Sequence, residues 1–557
     1  MTQRVAEVKR PHLTLSRPPE AGILIWHFIT LITIAIFAQL LFLQSFALAA
    51  ASSEDPAKDT VDASSALPSN GTIESWISSE LHPMSDKWYT NPWPETDIRY
   101  RLTKQLSLEW KSRKSMGTAT ESILIAPSIT YQTILGIGSS LEHTSIYAIR
   151  KNKTRSQQRA LLESLIWPDE GIGMNLFRIE IGTSDFSDGT KASPVPLYEK
   201  GWFSLKDSPN APFSIDRPLS LGIIDTVKMA IEVGEATENP IKIFASPWSP
   251  PDWMRAKKSM VQGGPIKRSM LDDYAAYLRK FVEAYAAEGI PVYAITLQNE
   301  RLFEPADYPG MVISWELERD LLVEVHKNFR SVDGRYGKPL DVKLWALDHN
   351  FDHWGEAELL ISDLKTNDQS HMLDGIAFHH YGGLSKQMAA LQSLHPDIPV
   401  MFTEGSVWGL NGDKNRRGFE TVIQHLRNGA TTYNAWVTMI TQNPAEANQG
   451  PYNRVGRVAP TMLIQEDGSS SESYKTPEFW LMGQFSRFIR PGAVRIHSNY
   501  GSIQTVTNVA FLNPDGTYVL IVANSTSKHQ TFNVELSNQH FSTRIPPKSI
   551  ATYRWTE

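Results

Sequence analysis

Short apolar runs recur through the middle of the chain, separated by helix-length amphipathic stretches, and most of them end on polar, acidic or aromatic residues. Eight of them, at residues 133–138, 174–181, 241–248, 292–300, 341–348, 373–381, 399–404 and 430–436, read as strands buried on both faces, where near-continuous hydrophobicity replaces alternation. The clearest intervening helix takes Ser269 as N-cap, carries Leu271, Tyr274, Leu278, Phe281 and Tyr285 on one face, and stops at Gly289 as C′ residue. Strand and helix alternating eight times predict a closed α/β architecture, a (β/α)8 TIM barrel over residues 131–485 with its working face at the strand C-termini.

The ends of the chain follow other patterns. From about residue 494 the helical period gives way to short β-rich pieces, 502–511, 518–524, 530–535 and 549–555, with a turn signal at Asn513-Pro-Asp-Gly516. These predict an antiparallel β-sandwich over 486–557, and residues 85–130, with the β-like stretch 121–126, are expected to add strands to it. Residues 51–84, rich in Ser, Ala, Asp and Pro, read as a flexible linker. From Gly22 to Leu48 no residue is charged, and Arg4, Lys9, Arg10 and Arg17 precede the run. Residues 1–50 therefore read as a signal peptide or an N-terminal membrane anchor. Length favours an anchor, while Ala47-Leu-Ala49 offers a cleavage site. Either way the catalytic part is expected outside the membrane, periplasmic, secreted or anchored, touching the bilayer only through an uncleaved N-terminus.

Composition narrows the chemistry. The chain has 557 residues and no cysteine, which removes disulfides, thiol nucleophiles and cysteine-ligated zinc. A net charge of −6, with no Gly-rich phosphate loop, points away from nucleic acid and phosphate partners. What stands out is a pair of carboxylates. Glu300 and Glu404 each close an apolar run, about a hundred residues apart, which leaves room for two intervening units of roughly 30–35 residues. On that count they exit barrel strands four and seven and share one cleft, the arrangement that glycoside hydrolysis needs. Trp248, Tyr381 and Trp436, also at strand ends, offer flat apolar faces suited to sugar rings.

With these residues in place, the chain from about residue 85 onward resembles glycoside hydrolase family 30, whose best-known members are glucosylceramidases. The likeness rests on Gly136-Ile-Gly138, Phe177-Arg178-Ile179, Ser184-Asp185-Phe186, the run from Ser246 through Pro-Trp-Ser-Pro-Pro-Asp to Trp253, Asn299-Glu300, Phe402-Thr-Glu404 and the C-terminal stretch 545–555. The resemblance implies Glu300 as acid/base and Glu404 as nucleophile of a retaining β-glycosidase, without metal or cofactor, acting on a carbohydrate or glycolipid. It also implies that Asp185, Trp248, Asn299, Tyr308, His379, Tyr381 and Trp436 contact the substrate, Asn299 at the sugar 2-hydroxyl. Arg178 either orients the carboxylates or is a buried charge satisfied by Glu180 or Asp348.

Three positions depart from the family pattern: Arg301 where proline is usual, His380 where tryptophan is frequent, and Gly310 where an aromatic can stand. All bear on the leaving-group side, so a glucosylceramide-like substrate and a second sugar, as in a β-1,6-glucanase, both stay open. Two readings from other classes are weaker. Asp348, His349, Asp352, His353, His379 and His380 suggest a metal-dependent hydrolase, but no early-strand His-x-His completes a ligand set. A binding protein without catalysis would not need both glutamates.

Overall fold

The computed structural model describes residues 71–79, 101–187, 202–332, 334–406, 418–443, 461–466 and 468–556. The expected signal peptide or anchor lies outside the described residues. Eight parallel strands close into a barrel in chain order: Gly136–Ser140, Leu176–Glu180, Lys242–Ser246, Val292–Thr296, Lys343–Asn350, Gly375–His379, Val400–Gly405 and Ala430–Ala435. The last pairs with the first, Thr432 opposite Gly136. At the first strand the barrel wall comes so close that a Cβ on Gly138 would lie 1.7 Å from the Leu176 carbonyl oxygen, which explains the glycine.

Side chains two residues apart on a strand point the same way, and this builds the barrel interior in layers. Leu176, Phe244, Ala294, Trp345, Ala377 and Met401 form an apolar plug. Two residues further along their strands stand Arg178, Ser246, Thr296, His379 and Thr403, a polar layer resting on that plug. Two strands break the count. Between Leu347 and His349 the fifth strand carries Asp348 as an extra residue against the sixth, and between Phe402 and Glu404 the seventh carries Thr403. A bulge re-aims side chains locally, so Asp348 reaches the polar layer, and Glu404 enters it beside Thr403.

The helix that sequence assigns from Ser269 to Gly289 runs Leu271–Ala287. Ser269 sits inside a preceding 3₁₀ turn and makes no cap, whereas Gly289 has φ +84° and ends the helix as expected. Its buried face holds Leu271, Tyr274, Leu278, Phe281 and Tyr285.

Ten strands form the second sheet, bent into a sandwich around the long strand Glu121–Thr133. Tyr518–Asn524 and Ser549–Trp555 occur as read from sequence, but residues 502–506 form a turn and the strand begins at Thr507. Gln539–Ile545 was not anticipated, and Gln530–Leu536 pairs parallel with Glu121–Thr133 in an otherwise antiparallel sheet. Residues 51–84 are not all linker: Glu74–Ser79 is a strand paired antiparallel with Ser549–Trp555. Trp76 and Ile77 bury on its opposite faces, and Arg554 binds Glu74 at 2.6 Å. Its serine content made it look like tether.

Alternation explains how sandwich and barrel hold together. Val519, Ile521 and Ala523 join the large core that includes the barrel helices, while Leu520 and Val522 face the sandwich interior. The helix Pro477–Ser486 is pinned between them, with Gln484 donating to Ser78 Oγ at 2.7 Å and accepting from Thr552 Oγ1 at 2.8 Å.

Candidate active site

Asp348 organises the polar layer. Its carboxylate is 1 % exposed and accepts five bonds: from Arg178 Nη2 (3.0 Å), Ser246 Oγ (3.1 Å), Thr296 Oγ1 (2.7 Å), Thr403 Oγ1 (2.7 Å) and His379 Nε2 (3.0 Å). Burial alone would raise its pKa, but the charges of Arg178 and His379 and the donated bonds hold it well below the usual carboxylate range. Sequence offers Asp348 as a partner for Arg178, and the structure makes it that partner; its bonds to the Ser246, Thr296 and Thr403 hydroxyls are what sequence does not foretell.

Arg178, fully buried, spreads its guanidinium across the cleft. Nη1 donates to Glu404 Oε2, Nη2 to Asn299 Oδ1 at 2.6 Å as well as to Asp348, and Nε to Ser246 Oγ at 3.1 Å. Of the two readings for Arg178, both partners of the cluster count: it is a satisfied buried charge, and it also orients Glu404 and Asn299. Glu180 is not its partner, since that carboxylate pairs with His143 Nε2 at 2.6 Å.

His379 links the two glutamates. Nδ1 lies 3.2 Å from Glu300 Oε1 and 4.0 Å from Glu404 Oε2. Burial opposes its charge, yet Glu404, Asp348 and its hydrogen bonds raise its pKa to about 10, so both ring nitrogens carry protons. Glu300 itself is raised, first by burial and then by the negative charge of Glu404, against the bond from His379. The Tyr381 phenol hydrogen-bonds Glu404, and burial with that negative charge keeps it protonated. Asp185 is raised well above the usual range by burial, then by Glu404 and Glu300.

The aromatic residues converge as well. Phe186, Trp248, Tyr308 and Trp436 share one cluster, with the Trp248 and Trp436 rings 5.7 Å apart. The Arg178 guanidinium lies 4.8 Å from the first ring and 5.8 Å from the second. The Phe186 edge meets Trp436 at 5.0 Å, and Thr144 Oγ1 donates to the Phe186 carbonyl at 2.7 Å, which anchors the turn bearing Asp185. All ten sequence-predicted residues therefore lie on one face of the barrel.

The metal reading fares differently. Glu300, His349 and His379 offer ligating atoms within 4.8 Å of one another. Both nitrogens of His379 are already engaged, Nδ1 with Glu300 at 3.2 Å and Nε2 with Asp348 at 3.0 Å. Gly310 has no space for an aromatic: its Cβ would meet Pro305 Cδ at 2.4 Å.

The glycosyl hydrolase family 30 TIM-barrel domain model matches residues 134–489, and the family 30 beta sandwich domain model matches residues 492–553. A putative glucosylceramidase of Caenorhabditis elegans is 28 % identical over 77 % of this chain and 82 % of its own length. An endo-1,6-β-D-glucanase of Aspergillus fumigatus is 26 % identical over 76 % and 85 %. Among solved structures, SrfJ from Salmonella typhimurium superposes with TM-score 0.71 at 21 % identity, over 87 % of this chain and all of that one.

Proposed function

The chain belongs to glycosyl hydrolase family 30 and is a glycoside hydrolase, and from that premise we propose that it removes a β-linked glucosyl unit by double displacement, with Glu404 as nucleophile and Glu300 as acid/base. The observation that carries this is His379. Reaches of 3.2 and 4.0 Å from one nitrogen put the nearer oxygens of Glu300 and Glu404 no more than about 7 Å apart. Both carboxyls thus lie within reach of one anomeric centre, and the bound admits the roughly 5–5.5 Å separation that retaining enzymes use.

The division of labour follows from surroundings. Glu300 is the carboxyl whose pKa is raised, as an acid working near neutral pH requires. Because Oε1 accepts from His379, Oε2 carries the proton to the glycosidic oxygen. Glu404, held by Arg178 and Tyr381, attacks the anomeric carbon as that C–O bond breaks, giving a glycosyl ester. Glu300, now a base, takes a proton from water, and the water oxygen displaces Glu404. Asn299, fixed by Arg178, is set to bond the 2-hydroxyl where the positive charge develops. Asp185 and Trp248 favour glucosyl at this subsite.

For the leaving group, ceramide is the primary reading, supported by glucosylceramidase relatives, and a β-1,6-linked glucose the second, supported by the Aspergillus relative. We further propose that the N-terminal apolar segment delivers the catalytic part across a membrane. Purified enzyme assayed against glucosylceramide, β-1,6-glucan and aryl β-glycosides tests the assignment. Hydrolysis of an aryl β-glucoside and glucosylceramide is expected, and an enzyme that cleaves only xylosides or glucan would overturn the corresponding part.

A further inference from the structure

Arg301 directly follows the acid/base and never reaches the substrate cleft. It is fully buried, pairs with Glu318 (Nε to Oε2, 2.6 Å) and Glu356 (Nη2 to Oε2, 3.2 Å), and donates from Nη1 to the Ile313 carbonyl at 3.1 Å. Its own carbonyl accepts from the Ile313 N–H at 2.8 Å. Glu318, 1 % exposed in the first turn of the helix Trp315–Arg330, turns its other oxygen to the Leu347 N–H at 2.8 Å.

That last bond matters because Leu347 and Asp348 have φ +71° and +45°, a region bulky residues rarely occupy. The Asp348 carbonyl in turn accepts from the N–H of Glu300, itself at φ +47°. A continuous path thus runs from Arg301 through Glu318 to the bulge that aims Asp348 inward, and back to the Glu300 backbone. From this we infer that Arg301 and Glu318 are a positioning pair that sets the aim of the Glu300 carboxyl at the leaving oxygen. The inference rests on Glu300 being the acid/base.

The test compares leaving groups. Dinitrophenoxide departs without a proton, whereas phenoxide needs one. In Glu318→Gln and Arg301→Met, kcat/KM for phenyl β-glucoside should fall about 10–100-fold, as a misplaced reacting group costs, while glycosylation by dinitrophenyl β-glucoside should change less than about threefold. Arg301→Lys, which keeps the charge but not the fork, should recover part of the loss. The double variant Arg301→Met/Glu318→Leu removes the two fully buried charges together and leaves only the part-exposed Glu356 without its arginine; it keeps the test open if a single variant fails to fold, and should still be selective against the phenyl substrate. Equal losses on both substrates, or no loss on either, would overturn the pair's role. Glu300→Ala run alongside separates the premises: if it also lacks leaving-group selectivity, the acid/base assignment fails, and the positioning role with it.

Discussion

Replacing Asp348 by Asn changes one atom type at the point where most of the site's bonds meet. The carboxylate accepts from three donors at Oδ2 and two at Oδ1. An amide keeps one acceptor oxygen. If its nitrogen takes the Oδ1 position, it faces the His379 Nε2 proton; if it takes Oδ2, it faces the Arg178 guanidinium. Either way both buried cations lose this anion and one of them also faces an N–H instead of an acceptor, and removing one partner of a buried pair costs about 3–5 kcal/mol. For a folded unit of this size that should appear as a melting temperature lower by roughly 3–6 °C. The effect has a pH signature. The folded His379 value of about 10 lies above the roughly 6.5 of an unfolded histidine. Its stabilising contribution is therefore full below about pH 6.5 and is lost as pH rises toward 10. Asp348→Asn removes one of the charges that raise His379, so this alkaline decline, still starting near pH 6.5, should be smaller and end at lower pH. Differential scanning fluorimetry between pH 6 and 10 on both proteins measures it. A variant that melts like the wild type at neutral pH, with the same alkaline decline, would refute the account of the polar layer.

Three further outcomes follow from the site. Trp248→Ala should lower kcat/KM on an aryl β-glucoside by more than the ~1–3 kcal/mol of a simple apolar contact, because the ring also stacks on the Arg178 guanidinium. A destabilised variant with wild-type kinetics would assign Trp248 to the core alone. Proton NMR of early product should show the β-anomer first, and the α-anomer would contradict double displacement. Glu300→Ala should stall after the first step on an activated glucoside and be rescued by azide to give β-glucosyl azide; absence of that product would remove Glu300 from the acid/base role.

Sequence carried the barrel because strands buried on both faces leave long apolar runs, and it carried Glu300 and Glu404 because each closes one. It did not carry the bulges. Counting by two from Met401 turns Thr403 inward and Glu404 outward; the extra residue at Thr403 is what brings both into the barrel. The same offset hid how Asp348 enters the barrel beside Arg178, since Leu347 occupies the inward count until the fifth strand slips by one residue. Bulges depend on pairing with a neighbouring strand, so no local pattern announces them. Glu74–Ser79 escaped for a related reason: a six-residue strand rich in serine is held by its partner Ser549–Trp555 rather than by its own propensity.

Covalent trapping tests most directly which glutamate attacks the anomeric carbon and which transfers the protons. An activated 2-fluoro-glucoside slows both displacement steps, and its good leaving group lets the glycosyl-enzyme accumulate. Peptide mass spectrometry should place the adduct on Glu404 in the wild type and in Glu300→Ala, with no adduct in Glu404→Ala. An adduct on Glu300, or one that persists in Glu404→Ala, would contradict the assignment.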